Sequence, residues 1–423
     1  MKRNSLKALL ALGAIALVVS CTNDSISEES EALSAGDFNI LEVPEKVLIP
    51  NQYVVIFNED KLPVNPKLVL SYKESQQSVR SFAEALFNQK NLTGVEINRV
   101  YSKSITGVSI KIAKEQIAAI RNDDKISVIE QDWIYPFAPP CGTPNGGPCD
   151  PDNGDGGNDG GNDTGGSTQQ TPWGITRVNG VSNYTGTGVA YVLDSGIDLT
   201  HPDLNVNASL GFNAFTSGAD SKNLSDGNGH GTHVAGTIAA INNNEGVIGV
   251  APGATVVPVK VLDRRGSGSL SGVIAGIDFV AANGSNGDVA NMSLGGGASS
   301  ALDLAVFNAA QSGVKFVLAA GNNGANANNF SPARVNGPNI FTISAMSTGD
   351  NWASFSNFAN PPVDFCAPGV SILSTWKGGG YNTISGTSMA APHAAGILLL
   401  GNPSTDGVVN NDPDGTPDPI IVH

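Results

Sequence analysis

The second half of the chain alternates apolar runs of strand length with apolar runs of helix length. Residues 189–193, 255–261, 289–294 and 315–319 have the composition of buried strands, and 233–241, 271–282 and 301–312 have helical patterns. Strands that alternate with helices form a parallel sheet with helices on both faces. In such α/β folds function lies at the carboxyl ends of the strands. The sequence therefore predicts a doubly wound α/β domain with its site at that edge.

Three short motifs accompany this pattern. Asp194 follows the first strand in Val-Leu-Asp-Ser-Gly, and His230 lies in Gly-His-Gly-Thr-His-Val-Ala-Gly-Thr. Ser388 lies in Gly-Thr-Ser-Met-Ala-Ala-Pro-His, just before the apolar run 394–400 that predicts a buried helix. A lone serine at a helix start is usually an N-cap. A hydroxyl, an imidazole and a carboxylate together are the groups that activate a nucleophile for acyl transfer.

The three motifs resemble the Asp, His and Ser signatures of the subtilisin-like serine proteases, including proteinase K and the bacterial subtilisins. Their order is the one known from subtilisin itself. The resemblance covers residues 169–401 and implies a three-layer fold with a mostly parallel central sheet. It implies that Ser388 attacks a peptide carbonyl, His230 takes and returns the proton, and Asp194 orients the imidazole. An esterase of the α/β-hydrolase type would need G-x-S-x-G and another residue order.

The resemblance also assigns residues around this triad. Asn322, in Ala-Gly-Asn-Asn-Gly after the strand at 315–319, matches the oxyanion donor. The expected substrate-binding residues are Ser293, Leu294, Gly295 and Gly296 on one side of the cleft and Leu270, after Gly266–Gly268, on the other. A glycine-lined pocket suggests a broad preference for apolar or aromatic side chains. His230 and His233 lack the spacing and the glutamate of a zinc protease.

A structural calcium ion is expected by the same resemblance. The ligands of the first site are the side chains of Gln169, Asp203 and Asn243 and the carbonyls of Ile241, Glu245 and Val247. A polar turn at 241–247 is the alternative interpretation. A second site combines Asp364 with the carbonyls of Pro338 and Ile340. Oxygen ligands of this kind suit calcium, and either ion would stabilise the fold rather than catalyse.

A small domain is predicted before the protease domain, over residues 49–138. Strand patterns at 53–57, 95–101, 107–112 and 126–133 and helical patterns at 78–88 and 114–122 follow one another as β-α-β-β-α-β. This order is the ferredoxin-like split βαβ arrangement, an α+β fold. In this position it resembles the family's propeptide, which assists folding and inhibits the enzyme until it is cut away. An unrelated binding domain is the alternative.

The N-terminus predicts export. Basic residues precede an apolar run at 8–19, which has the length of a signal peptide core. Val-Val-Ser-Cys resembles a lipoprotein cleavage box, so residues 1–21 form a lipoprotein-type signal and Cys21 is the expected lipidation site, followed by a polar tether at 22–48. An ordinary secretory signal is the alternative. Either interpretation places the protein outside the cytoplasm, secreted or held on the cell envelope through lipid.

Residues 139–168 have the composition of a linker, rich in Gly, Asp and Asn. Cys141 and Cys149 are close enough in this segment to form a disulfide, whereas Cys366 in an apolar run is expected to be a buried free thiol. The Asp residues of the linker lack the register of an EF-hand. A calcium-binding adhesion protein built on this linker remains a rival function.

The last segment, 402–423, departs from the family pattern. It contains Asp412 to Pro419 and little apolar material, which predicts a polar tail or a shortened domain. Loss of cover on the helix that carries Ser388 would favour an inactive surface binding protein that keeps the fold. The net charge of −15 argues against nucleic-acid binding. The expected partners are therefore peptide or protein substrates and the protein's own propeptide, and the expected state is a monomer.

Overall fold

The computed structural model describes residues 46–63, 65, 71–136, 168–401 and 403–423. The signal with Cys21, most of the tether, and the linker with Cys141 and Cys149 lie outside these ranges, so those predictions stay predictions. Within the described ranges no helix combines the length and the hydropathy that crossing a membrane requires.

The N-terminal domain has the predicted β-α-β-β-α-β order. Its elements are β1 Val47–Phe57, α1 Tyr72–Gln89, β2 Glu96–Tyr101, β3 Gly107–Lys111, α2 Lys114–Ile117 and β4 Ile126–Pro136. The strands pair antiparallel in the order β2-β3-β1-β4. Three bounds differ most from the sequence prediction: β1 begins at Val47, inside the expected tether, α1 begins at Tyr72 rather than at residue 78, and α2 ends at Ile117 rather than at residue 122.

The protease domain contains the remaining elements. Its helices are α3 Trp173–Arg177, α4 His230–Ala239, α5 Leu270–Asn283, α6 Ser300–Ala310 and α7 Thr387–Leu400. Its strands are β5 Ala190–Asp194, β6 Phe212–Asn213, β7 Val256–Lys260, β8 Ser267–Ser269, β9 Val289–Met292, β10 Gly296–Gly297, β11 Lys315–Ala319, β12 Phe330–Ser331, β13 Ile340–Ser347, β14 Asn351–Trp352, β15 Val363–Pro368, β16 Ile372–Trp376, β17 Gly380–Ile384, β18 Ser404–Val408 and β19 Pro419–Val422.

The central sheet confirms the three-layer α/β fold. Its order is β18-β19-β15-β13-β11-β9-β5-β7-β6, and the pairs from β19 to β6 are parallel. Successive residues of β5 face opposite layers, as the two-residue period of a strand requires. Tyr191 and Leu193 pack with α5 and α6, whereas Ala190 and Val192 pack with α4 and α7. Asp194 therefore ends a strand buried at the centre of the sheet.

The expectation of a polar tail over residues 402–423 is wrong. β19 pairs parallel with β15 and β18 pairs antiparallel with β19, so the last residues extend the central sheet. Ile420, Ile421 and Val422 are buried, and Ile421 packs in the core that contains α7. The sequence prediction failed because the apolar run that packs against this helix is short and lies at the end of a polar segment.

The N-terminal domain packs on the helices α5 and α6. Alternate residues of β1 face two different cores. Tyr53, Val55 and Phe57 face the core of the small domain. Val54 and Ile56 instead join the core of the protease domain. The end of β4 pairs antiparallel with β8, with Ile134 opposite Ser269 and Pro136 opposite Ser267. The small domain therefore adds a strand to an edge of the protease domain.

Candidate active site

Asp194 and His230 meet at the carboxyl end of β5. Asp194 is fully buried, and both of its carboxylate oxygens lie 2.8 Å from His230 Nδ1. Gly231 follows His230 at a point where the chain passes close to β5. A Cβ at this position would lie 2.1 Å from the carbonyl oxygen of Gly196 and 3.1 Å from Asp194 Cβ. The Gly-His-Gly motif thus allows α4 to begin against the strand that ends with Asp194.

The electrostatics of His230 suit a proton acceptor. Burial disfavours its protonated form, but the charge of Asp194 and the hydrogen bond to it outweigh burial, so the pKa of His230 lies above its ordinary value. A raised pKa means that the imidazole holds a proton more strongly once it has accepted one.

Ser388 lies in the first turn of α7, which packs against α4. Its hydroxyl donates to the carbonyl oxygen of Ser293 at 3.2 Å, and in the described part of the chain it makes no hydrogen bond to His230. The hydroxyl of Ser293 donates to the Ser388 carbonyl oxygen at 2.7 Å and accepts from Asn291 Nδ2 at 2.8 Å. Ser293, expected as a substrate residue, therefore also fixes the backbone of Ser388.

Asn322 is held by the residue next to Ser388. Its Oδ1 accepts from the backbone N–H and from the hydroxyl of Thr387, each at 2.8 Å. The Thr387 hydroxyl in turn accepts from Gly321 N at 3.1 Å. Because both contacts to Thr387 use the amide oxygen of Asn322, its NH₂ group is directed elsewhere. The sequence analysis did not identify the role of Thr387 in holding Asn322, although Thr387 lies directly before Ser388.

A second missed residue, Asp226, organises the start of α4. Its carboxylate accepts five hydrogen bonds at 2.7 to 2.9 Å, from Ser195 Oγ, Asn228 N, Gly229 N, Thr232 N and Thr232 Oγ1. Three of these donors are backbone N–H groups at or just before the first turn, where a carboxylate also meets the positive end of the helix dipole. Asp226 therefore fixes the turn that presents His230. The sequence signal was an Asp four residues before that histidine.

Of the predicted substrate residues, Leu270 directly follows β8, the strand that pairs with β4. Gly296 and Gly297 form β10 and pair with Ser331 and Phe330. Leu270 and Leu294 are buried in the core of the protease domain. Their contact with substrate remains a prediction.

Three carboxylates bind the small domain to the protease domain, and of these Asp278 and Asp132 are buried and Glu130 is half-buried. Asp278 on α5 is fully buried and accepts from the backbone N–H groups of Ser102, Lys103 and Ser104 at 2.7 to 3.1 Å. In the opposite direction, Glu130 of β4 accepts from Ser299 Oγ and Ala301 N at the start of α6. Asp132 accepts from Ser271 N at the start of α5. Two helix N-termini of the protease domain are thus capped by the small domain.

The residues expected at the first calcium site converge. Gln169 Nε2 lies 2.7 Å from the carbonyl oxygen of Ile241 and 3.1 Å from that of Val247. The Asp203 carboxylate accepts from Asn243 Nδ2 at 2.9 Å and from Val247 N at 3.0 Å. Burial raises the pKa of Asp203 to about 6. Glu245 contacts Asn243 through its backbone N–H, which leaves the role of its carbonyl a prediction.

The second expected site is less complete. Asp364 Oδ2 accepts from the backbone N–H of Thr342 at 2.8 Å, next to the start of β13 at Ile340, and burial raises the pKa of Asp364 to about 6. Contacts of the Pro338 and Ile340 carbonyls with Asp364 remain a prediction. Across the described ranges no three His, Cys, Asp or Glu side chains group closely enough to hold a metal. Any ion at either site would need carbonyl and amide oxygens beside the single carboxylate of Asp203 or Asp364.

Two further histidines, His233 and His393, and the described cysteine have structural environments. His233 Nε2 lies 2.9 Å from the Ile372 carbonyl oxygen, and burial lowers the pKa of His233 to about 3. His393 Nδ1 lies 2.8 Å from the Met389 carbonyl oxygen. Cys366 is a buried free thiol, as expected.

Comparison with known proteins agrees with this geometry. Residues 185–404 match the Subtilase family of peptidases, and residues 52–138 match the Peptidase inhibitor I9 family. The chain belongs to the subtilase family.

Two similar proteins match over most of the chain, and a solved structure matches over part of it. An alkaline serine exoprotease A of Vibrio alginolyticus is 38% identical over 89% of this chain, which spans 66% of that protein. An extracellular serine proteinase of Thermus sp. (strain Rt41A) is 37% identical over 95% of this chain and 90% of its own length. The crystal structure of a cold adapted subtilisin-like serine proteinase is 41% identical, with a TM-score of 0.51, and covers 59% of this chain and 96% of its own.

As a subtilase with these contacts, the protein is expected to lose activity in acid as His230 takes up a proton. Because the pKa of His230 is raised, the acid limb of kcat/KM should lie above the ordinary histidine value of 6.5. The measurement is kcat/KM for a peptide substrate against pH. Asp194→Asn removes the charge that raises this pKa, so its residual activity should show the limb at lower pH. A limb below 6.5 in the wild type would contradict the assignment.

Asn322→Ala is expected to lower kcat by about 10²–10³-fold with little change in KM, the size known for subtilisin, a member of the same family. The amide donor would act on charge that develops only in the transition state. Steady-state kinetics measure both constants. Asn323→Ala, which changes the neighbouring asparagine, is the matched control and should retain kcat. Equal losses in the two variants would point to a general disturbance of the loop.

Proposed function

We propose that this subtilase is a secreted or surface-anchored serine endopeptidase made as a self-processing zymogen. The observation that carries the proposal is the Asp194–His230 contact at 2.8 Å, placed against the helix whose first turn holds Ser388. The matched families and the printed names of the relatives support proteolysis outside the cytoplasm. The lipoprotein-type signal would add anchoring at Cys21.

In the proposed mechanism Ser388 Oγ attacks the scissile carbonyl carbon while His230 accepts the hydroxyl proton. Asp194 stabilises the imidazolium, and Asn322 with the Ser388 N–H binds the oxyanion. His230 then protonates the leaving amine, and water hydrolyses the acyl-enzyme by the same steps in reverse. Before attack the Ser388 hydroxyl must rotate from the Ser293 carbonyl toward His230.

The small domain is proposed to act as an intramolecular inhibitor. Its strand β4 adds to β8 as an extended peptide would, and main-chain pairing of this type is a common mode of substrate binding. The caps supplied by Glu130 and Asp132 would also assist folding of α5 and α6, because they satisfy N–H groups at both helix starts. Maturation would remove this domain by a cut in or near the linker.

The test is labelling with a fluorophosphonate, which reacts with an activated serine. The wild-type protein should be labelled and should hydrolyse casein, and the label should map to Ser388. Ser388→Ala should give no label. A folded wild type that is neither labelled nor active after removal of the propeptide would favour a binding protein with a subtilase fold.

Calcium is proposed to stabilise the protease domain at Gln169, Asp203 and Asn243. In the Ser388→Ala background, saturating calcium is expected to add about 2.7 kcal/mol at 100 times Kd. This corresponds to a rise in Tm of roughly 5–10 °C for a domain of this size. Asp203→Asn should abolish most of the rise, and Asp364→Asn tests the second site separately. Equal calcium responses in the parent and Asp203→Asn would contradict the first site.

A further inference from the structure

A buried lysine lies beside Asp194 on the neighbouring strand. Lys260 ends β7 in direct register with Asp194 and is 1% exposed. An ammonium group in such a position is costly unless strong partners surround it. The partners of the Lys260 ammonium therefore indicate the role of this residue.

The ammonium of Lys260 contacts the residue that follows Asp194. Nζ donates to the carbonyl oxygen of Ser195, lies 3.2 Å from Asp220 Oδ1 and stands 5.8 Å from the ring centroid of Phe215. The ion pair with Asp220 would be sufficient to balance its charge. The additional bond to Ser195 connects the lysine to the site.

Ser195 in turn connects Asp194 with the start of α4. Its N–H donates to Asp194 Oδ1 at 2.7 Å, and its hydroxyl donates to Asp226 at 2.8 Å. The same hydroxyl accepts from Gly231 N at 3.1 Å, directly after His230. The orientation of Ser195 therefore affects both halves of the Asp194–His230 contact, and its carbonyl is held by Lys260.

We propose that Lys260 is a positioning residue for the Asp194–His230 pair, an inference that rests on the proposed function. Its ammonium holds the Ser195 carbonyl, so that the Ser195 N–H remains directed at Asp194 and the Ser195 hydroxyl remains directed at the first turn of α4. It also supplies positive charge in a region that contains the buried carboxylates of Asp194 and Asp226 and the half-buried carboxylate of Asp220.

The test replaces Lys260 with methionine, which keeps the length and apolar stem and removes the ammonium. The expected result is a loss in kcat of roughly 10–100-fold with KM within about twofold, because a displacement near 1 Å in a catalytic group has this effect. In the Ser388→Ala background, the proton between His230 Nδ1 and Asp194 should change its low-field NMR resonance. Lys260→Arg, which keeps charge and donors, should recover part of kcat.

Lys315→Met is the matched control. Lys315 is a half-buried strand lysine whose Nζ donates to the Leu398 carbonyl oxygen at 2.8 Å. Its loss should reduce Tm and leave kcat and the resonance unchanged. Lys260→Met with kcat within twofold and an unchanged resonance would overturn the proposal. If that variant does not fold, Lys260→Gln decides by the same two measurements. Failure of the proposed function is separate, because it would appear as a wild type that fluorophosphonate does not label.

Discussion

Ser388→Ala is expected to yield an uncut, inactive chain. The wild type should lose the region before about Gln169 and digest casein, whereas the variant keeps both domains and digests nothing. The physical reason is that the substitution removes the hydroxyl that is proposed to attack the scissile carbonyl. A loss of about 10⁶-fold in kcat is the size known for subtilisin, a member of the same family. Intact mass of the secreted product and casein hydrolysis on the same samples measure both effects.

Ser312→Ala is the matched control for this substitution, since Ser312 is exposed at the turn after α6. It should be processed and active like the wild type. Mixing mature wild type with Ser388→Ala distinguishes self-cleavage from cleavage between molecules. A Ser388→Ala product that is processed to the wild-type mass in the absence of any other protease would contradict self-processing by this serine.

The sequence was sufficient for the central architecture, and its motifs marked the three residues that are proposed as the triad. Strands such as 190–194 are continuous apolar runs, and their alternation with helices leaves few possible topologies. Asp194, His230 and Ser388 each lie in a distinctive local motif. These features depend on residues close together in the chain, which is why a single sequence reveals them.

The supporting residues could not be found in this way. Lys260 donates a hydrogen bond to the Ser195 carbonyl from the neighbouring strand. Asp278 binds a loop about 175 positions earlier in the chain. Such hydrogen bonds arise from tertiary packing, and an isolated Lys or Asp has no pattern that marks it. The register of β4 with β8 is another example, because three-residue strands lack a detectable period.

The C-terminal segment is expected to be essential for the fold. Ile420, Ile421 and Val422 bury their side chains, and each contributes about 1.5–3 kcal/mol. Their joint loss approaches the total stability of about 5–15 kcal/mol that is typical of a domain. Deletion of residues 403–423 also removes the contact of Asp406 with Arg177 of α3. The truncated chain should therefore fail to accumulate as folded protein.

Single substitutions distinguish the loss of one buried side chain from the loss of the whole C-terminal segment. Ile421→Ala in the Ser388→Ala background should reduce the free energy of unfolding by about 2–5 kcal/mol, because it opens a cavity next to α7. Val408→Ala is the matched control on the exposed neighbouring strand, where Val408 is 52% exposed, and it should change stability by less than about 0.5 kcal/mol. Urea unfolding measures both. Equal and small changes in the free energy of unfolding would mean that β19 is not needed for stability. A large change for Ile421→Ala alone would show that the last strand supports the helix that carries Ser388.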